Sequence, residues 1–95
     1  MSGYFFADVT WTDPEGRREY VELIGPSLDA YGGEVVAASG DVELMEGDWQ
    51  PGDVTVLISF PTREAVLAWY GFDEYSRALD IRKRSADSRV MILGE

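Results

Sequence analysis

Cysteine and histidine are both missing from this chain of 95 residues. Without cysteine there is no disulfide, no thiolate nucleophile and no thiolate metal site. Without histidine the usual general base and the commonest zinc or iron ligand are gone. Positive charge is also scarce: 8 Lys and Arg stand against 18 Asp and Glu, a formal net charge of −10. Such a surface repels phosphate backbones and anionic lipid, so neither nucleic acid nor membrane is expected as a partner. No stretch approaches the roughly 20 apolar residues of a membrane span. The opening "MSGYFFADVTWTD" has no basic n-region and no long apolar run, so no secretory signal is expected and a cytoplasmic protein is the default. Any reaction would have to use carboxylates, tyrosine, arginine, lysine or a borrowed cofactor. No glycine-rich phosphate loop, serine-centred triad or metal-ligand set appears, and none of these cofactors is expected.

What the chain does have is apolar and aromatic mass. Hydrophobic residues make up 45% and aromatics 13%, enough to pack a core. The length predicts a single domain over residues 1–95.

The stretch "YFFADVTW" (Tyr4 to Trp11) alternates as a strand does, with Phe5, Ala7, Val9 and Trp11 on one face. Tyr4, Phe6, Asp8 and Thr10 take the other, and two large aromatics there imply that something covers it. "TDPE" opens a helix, with Asp13 as cap, Pro14 at its first position and Glu15 suiting the dipole. The stripe Tyr20, Leu23, Ile24, Ser27, Leu28, Tyr31 follows at helical spacing. Gly25-Pro26 is expected to kink this helix, and Gly32-Gly33 to end it.

"EVVAASGDVEL" predicts a second strand, bulged at Ser39-Gly40. "MEGDWQPGD" is a loop, and "VTVLISF" a buried strand. Thr62 caps a helix bearing Ala65, Val66 and Trp69 and breaking at Gly71. A further segment from about Asp73 aligns Tyr75, Ala78, Leu79, Arg82 and Ala86, and "RVMILG" is the last strand.

The order β-α-β-β-α-β is the α+β, ferredoxin-like split βαβ: a four-stranded antiparallel sheet with helices on one face. The other face would carry one parity set from each strand, for example Tyr4, Phe6, Leu57, Met91 and Leu93; parity alone does not say which set faces the helices, but both are apolar enough to need cover. A second copy of the sheet is the simplest cover, which predicts a homodimer through that face.

At this point a resemblance appears. Tyr4, Asp13-Pro14, Gly32-Gly33, Glu46-Gly47-Asp48-Trp49, Phe60-Pro61, Ala68-Trp69-Tyr70, Tyr75, Arg82 and Gly94 follow in the order and spacing of a small bacterial family, domain of unknown function 1330. The resemblance covers nearly the whole chain. It implies a dimeric α+β barrel and supplies no reaction. Related barrels include cofactor-free monooxygenases, small isomerases and haem-handling proteins, so the fold alone decides nothing. Members often carry an arginine near the end of the second strand, where this chain has Ala38. If that arginine holds an anionic ligand in relatives, the habit is altered here.

Arg82 is the most informative position, because an inward guanidinium requires a carboxylate, a bound anion or a route to the rim. Glu46 or another acid is its candidate structural partner. Beside Tyr20 or Tyr75, Glu46 is also a candidate catalytic acid or base. Asp41, Glu43, Glu46, Asp48 and Asp53 form an acidic hairpin whose spacing matches no calcium loop, so a solvated turn is expected rather than a metal site. Phe60 and Trp69 belong to the core. Tyr70 and Tyr75 flank the helix break, where a notch is expected, and join Tyr20 and Arg82 as ligand-binding candidates.

Three readings follow. One is a homodimeric barrel binding a small anionic or aromatic organic molecule. Another is a cofactor-independent isomerase or monooxygenase-like enzyme using Glu46 and tyrosine. The third is a structural or interaction module without ligand. Whether the protein is an enzyme stays open at this level.

Overall fold

A computed structural model describes residues 2–94 of the chain. Four strands and three helices run in the order β1 (Gly3–Trp11), α1 (Pro14–Asp29), β2 (Glu34–Ser39), β3 (Val54–Phe60), α2 (Arg63–Tyr70), α3 (Asp73–Ser85) and β4 (Ala86–Gly94). The strands form one antiparallel sheet in the order β2-β3-β1-β4. This is the ferredoxin-like arrangement, with the second helical segment divided at Gly71.

The burial of alternate residues in β1 shows which face the helices cover. Phe5, Ala7 and Val9 are buried under the helices together with Ile58 and Phe60 of β3. Trp69 of α2 is the hub of this core, fully buried. Its ring meets Phe5 edge-on at 4.9 Å and lies 4.0 Å from the Tyr75 ring. Its indole N–H donates to Ser27 Oγ at 3.0 Å, and Ser27 in turn donates to the Ile24 carbonyl at 2.7 Å. A buried indole donor needs such a partner, and the link fastens α2 to α1.

The helix signals act as expected. The Asp13 carboxylate accepts from the Glu15 amide at 3.1 Å, and Thr62 Oγ1 from the Ala65 amide at 3.0 Å. Helix α1 continues through Pro26 to Asp29. Gly32 then adopts φ +71°, a left-handed turn that suits glycine. Among the described residues no helix is long and apolar enough to cross a membrane.

Three boundaries differ from expectation. Strand β2 ends at Ser39 rather than Leu44, and its irregularity lies between Val35 and Ala37 rather than at Ser39-Gly40. Pairing with β3 places it there, and no local glycine is needed. Ala86 does not close the helical stripe; it opens β4 opposite Trp11. The last strand thereby begins three residues before Arg89, because the long β1 offers partners for all of Ala86–Gly94.

On the face away from the helices, Phe6 sits between Leu57 and Met91, and Tyr4 between Ser59 and Leu93. The chain covers one end of this face itself. Trp49, from the β2–β3 connection, lies against Phe6 at 6.4 Å, with the Arg89 guanidinium 5.5 Å from its ring. Asp8 beneath is 6% exposed, and its Oδ1 accepts from the Gly52 amide at 2.9 Å and the Thr55 hydroxyl at 3.2 Å. At the other end Met91 and Leu93 remain 56% and 64% exposed. The sheet's second face is therefore part covered and part bare.

Candidate functional site

Helix α1 does not close fully on the sheet. Between it and strands β1, β2 and β3 lies a cavity of about 230 Å³. Phe5, Ala7, Val9, Val54, Val56 and Ile58 form its floor, and Ile24 and Val21 its roof. Ala38 and Val35 of the edge strand, with Trp11, complete the wall. Val21 and Val35 are more than half exposed, so the opening lies on their side. An apolar cavity of roughly 150 Å³ already accepts benzene, so this space suits a one-ring or compact two-ring molecule.

Besides the Trp11 indole, two polar side chains line it. Among the described residues, Arg17 is the sole charged group and Tyr20 the sole hydroxyl in the lining. They are three residues apart on α1 and therefore neighbours on its inner face. Arg17 is exposed at the mouth, whereas Tyr20 is 8% exposed and packs at a tilt against Trp11, ring centroids 5.4 Å apart.

Behind Tyr20 the polar chain continues. Its hydroxyl lies 2.7 Å from that of Tyr75, which is fully buried on α3. Arg82, two helical turns further along α3, is 3% exposed. Its Nη1 donates to Ser88 Oγ at 2.5 Å, while Nε and Nη2 have no partner at hydrogen-bonding geometry. Among the described residues no carboxylate pairs with it; the ion pair present joins Arg18 to Glu15 on the surface. Burial opposes the charge on Arg82, but the oxygens of Tyr75, Tyr20 and Tyr70 outweigh it and hold its pKa above the ordinary arginine value. Burial also raises the pKa of Tyr75, with Arg82 pulling the other way. Tyr20 is pushed well above the usual phenol range, first by burial and then by Tyr75. Both phenols stay protonated at neutral pH.

The structure thus brings Tyr20, Tyr75 and Arg82 together and puts only Tyr20 in the cavity wall. Tyr70 is half-buried against Phe5 and Tyr75 and faces a separate hollow with Leu67, Val90, Met91 and Ile92. The helix break at Gly71 does not open the cavity. Glu46 is exposed in the β2–β3 connection, and no hydrogen bond or ion pair of the described residues joins it to Tyr20, Tyr75 or Arg82. The expected Arg82–Glu46 pair is not formed, because the connection folds to the opposite face of the sheet from α3. Among the described residues no acidic group is arranged to hold a metal ion. Sequence reasoning missed Arg17 and Trp11 as lining residues; the signal for Arg17 was its position one turn before Tyr20.

The class of the fold is shared by solved structures. A protein of unknown function from Rhodopseudomonas palustris is 20% identical, with a TM-score of 0.77 over 99% of this chain and 82% of its own. A dimeric ferredoxin-like protein of unknown function from Thermobifida fusca is 17% identical, with a TM-score of 0.68 over 100% of this chain and 92% of its own. SnoaB, a cofactor-independent oxygenase from Streptomyces nogalater, is 8% identical, with a TM-score of 0.69 over 99% and 92%. Likeness at these identities concerns the fold. Among curated proteins nothing matches the sequence. Residues 2–95 match the family described as Domain of unknown function (DUF1330), and the chain belongs to that family.

Proposed function

We propose that this protein is a homodimer that binds a small, mainly apolar organic molecule of aromatic size, with its acidic or polar end toward Arg17 and Tyr20. The observation that carries this reading is the cavity beneath α1, apolar except for those two side chains of one helix face and the Trp11 indole. A pocket with a large apolar lining and few convergent polar groups is the usual form of a small-molecule site. Calorimetric titration with benzoate-sized acids and aryl ketones tests it. Binding is expected in the wild type and is expected to vanish in Ala38→Trp, which fills the wall. A folded wild type that takes up none of these compounds at millimolar concentration sinks the reading. Self-association is supported by the bare end of the sheet and by the dimeric state of several similar structures.

A second reading, a cofactor-independent enzyme, is favoured by one observation: the Tyr20–Tyr75 hydroxyl pair backed by buried Arg82 ends at the cavity wall. One structural neighbour is described as a cofactor-independent oxygenase. Tyrosine would carry this chemistry without Glu46, so Glu46→Gln is expected to leave turnover unchanged while Tyr20→Phe abolishes it. Oxygen uptake and product analysis with bound aromatic compounds provide the measurement.

A further inference from the structure

We infer that the molecule held beneath α1 is a monoanion: an aromatic-sized monocarboxylate lying along the cavity with its carboxylate at Arg17. This rests on the ligand-binding reading of the cavity and narrows it to one ligand class and one orientation. Helix α1 runs antiparallel to β1 above the sheet. Near its start, Tyr20 packs against Trp11, the last residue of β1. Near its end, Leu28 and Phe60 converge on Gly33, where an added Cβ would stand 2.8 Å from each. Phe60 pairs with Gly3 at the opposite end of β1, so that end is closed. Arg17, Val21 and Ile24 are spaced i, i+4, i+7 and form one ridge of the helix along the cavity. The rise from Arg17 to Ile24 is about 10 Å. The charge therefore stands at the Trp11 end, while Phe5, Ile24, Val35 and Ile58 make the far end wholly apolar.

Arg17 is free to take an anion. Glu15 pairs with Arg18, the Asp13 carboxylate caps the helix, and among the described residues no carboxylate pairs with Arg17. Further cations are lacking on this side of the molecule. The segment from Glu19 to Thr62 supplies most of the lining, and it holds nine acids and no Lys or Arg. A first carboxylate thus meets one guanidinium, and a second meets none. A dianion reaching from Arg17 toward Ile58 has to bury its other charge among aliphatic side chains, which costs far more than an exposed arginine contact returns. A neutral molecule of the same shape fills the apolar part and leaves the guanidinium to water. Arg17 selects for a charge, and the apolar far end limits the ligand to one.

Three probes of nearly one shape separate the possibilities: 4-methylbenzoate, its neutral amide 4-methylbenzamide, and the dianion terephthalate. Their affinities for the full chain are measured by calorimetry at neutral pH and low salt. The acid is expected to bind about five-fold tighter than the amide, the span of an exposed ion pair. Terephthalate is expected to bind at least about 100-fold more weakly than 4-methylbenzoate. Arg17→Gln, at an exposed position, should bring the acid down to the level of the amide, and Arg17→Lys should restore most of the difference. Raising the salt should narrow the same difference in the wild type. An amide that binds as well as the acid, or an acid preference that survives Arg17→Gln, overturns the role of Arg17 and leaves the cavity standing. Terephthalate binding as tightly as 4-methylbenzoate overturns the limit to one charge. No binding of any probe overturns the ligand-binding reading and this inference together.

Discussion

The hydroxyls of Tyr20 and Tyr75 lie 2.7 Å apart although 55 residues separate them in the chain. The contact ties α1 to α3 above the sheet and buries two phenols whose pKa values both lie above the ordinary one. In the unfolded chain a tyrosine ionises near pH 10. In the folded chain burial holds the proton on beyond that. A raised folded pKa contributes stability that is fully present below the unfolded value and is lost as pH rises toward the folded one. Urea denaturation should therefore give a stability independent of these groups between about pH 7 and 9 and declining above about pH 10. The double variant Tyr20→Phe/Tyr75→Phe should show a shallower decline. An identical alkaline slope in wild type and double variant would exclude the pair as its source.

Among the described residues no acid pairs with buried Arg82, which predicts an unusual response to its removal. Taking one partner from a buried ion pair costs on the order of 3–5 kcal/mol, because the other charge is stranded. Arg82→Met strands no carboxylate among the described residues, keeps much of the side-chain stem, and relieves the desolvated guanidinium. Its midpoint of thermal unfolding is expected to stay level or rise. A fall of many degrees would mean that an unseen counter-charge depends on Arg82.

Gly16 is buried inside α1, and a Cβ built there would stand 2.1 Å from Ser85 Oγ and 2.4 Å from Ser85 Cβ. Glycine to alanine in a helix interior ordinarily stabilises by about 1 kcal/mol. Here the sign is expected to reverse. The new methyl meets an atom fixed to the α3 backbone, and overpacking of that kind costs about 1–3 kcal/mol. Denaturant titration of Gly16→Ala should show a loss, and adding Ser85→Gly should recover part of it. Strictly additive effects in the double variant would disprove the contact.

Much of this was legible in the chain itself. Alternation in Tyr4 to Trp11 sorted β1 into two faces without saying which the helices cover, and the caps at Asp13 and Thr62 decided two helix starts. Tyr75 and Arg82 shared a stripe, and their burial followed from it. Their company did not. Tyr20 comes from another helix, and helical spacing gives no distance between elements. The same limit applies to Glu46, whose place depends on which way the β2–β3 connection folds, and to the irregularity near Val36, which pairing with β3 imposes. Arg17 was not singled out, since a gap beneath a helix leaves no periodic mark.

The bare end of the sheet carries the last prediction. Met91 and Leu93 are 56% and 64% exposed beside Tyr4 and Phe6, while Trp49 and Gly52 shelter only the Asp8 end. Large side chains on a solvated strand would tolerate a carboxylate with a change within about 0.5 kcal/mol. At a dimer interface the same carboxylate must be desolvated without a partner, which costs several kcal/mol. Sedimentation velocity at micromolar concentration should therefore give twice the chain mass for the wild type and a monomer for Leu93→Glu. Thermal stability of the wild type should also fall on dilution, as mass action requires of a dimer, and that of the variant should not. A wild type that sediments as a stable monomer, with Leu93→Glu indistinguishable from it, would remove the homodimer from the proposed function and leave the cavity as a property of the single chain.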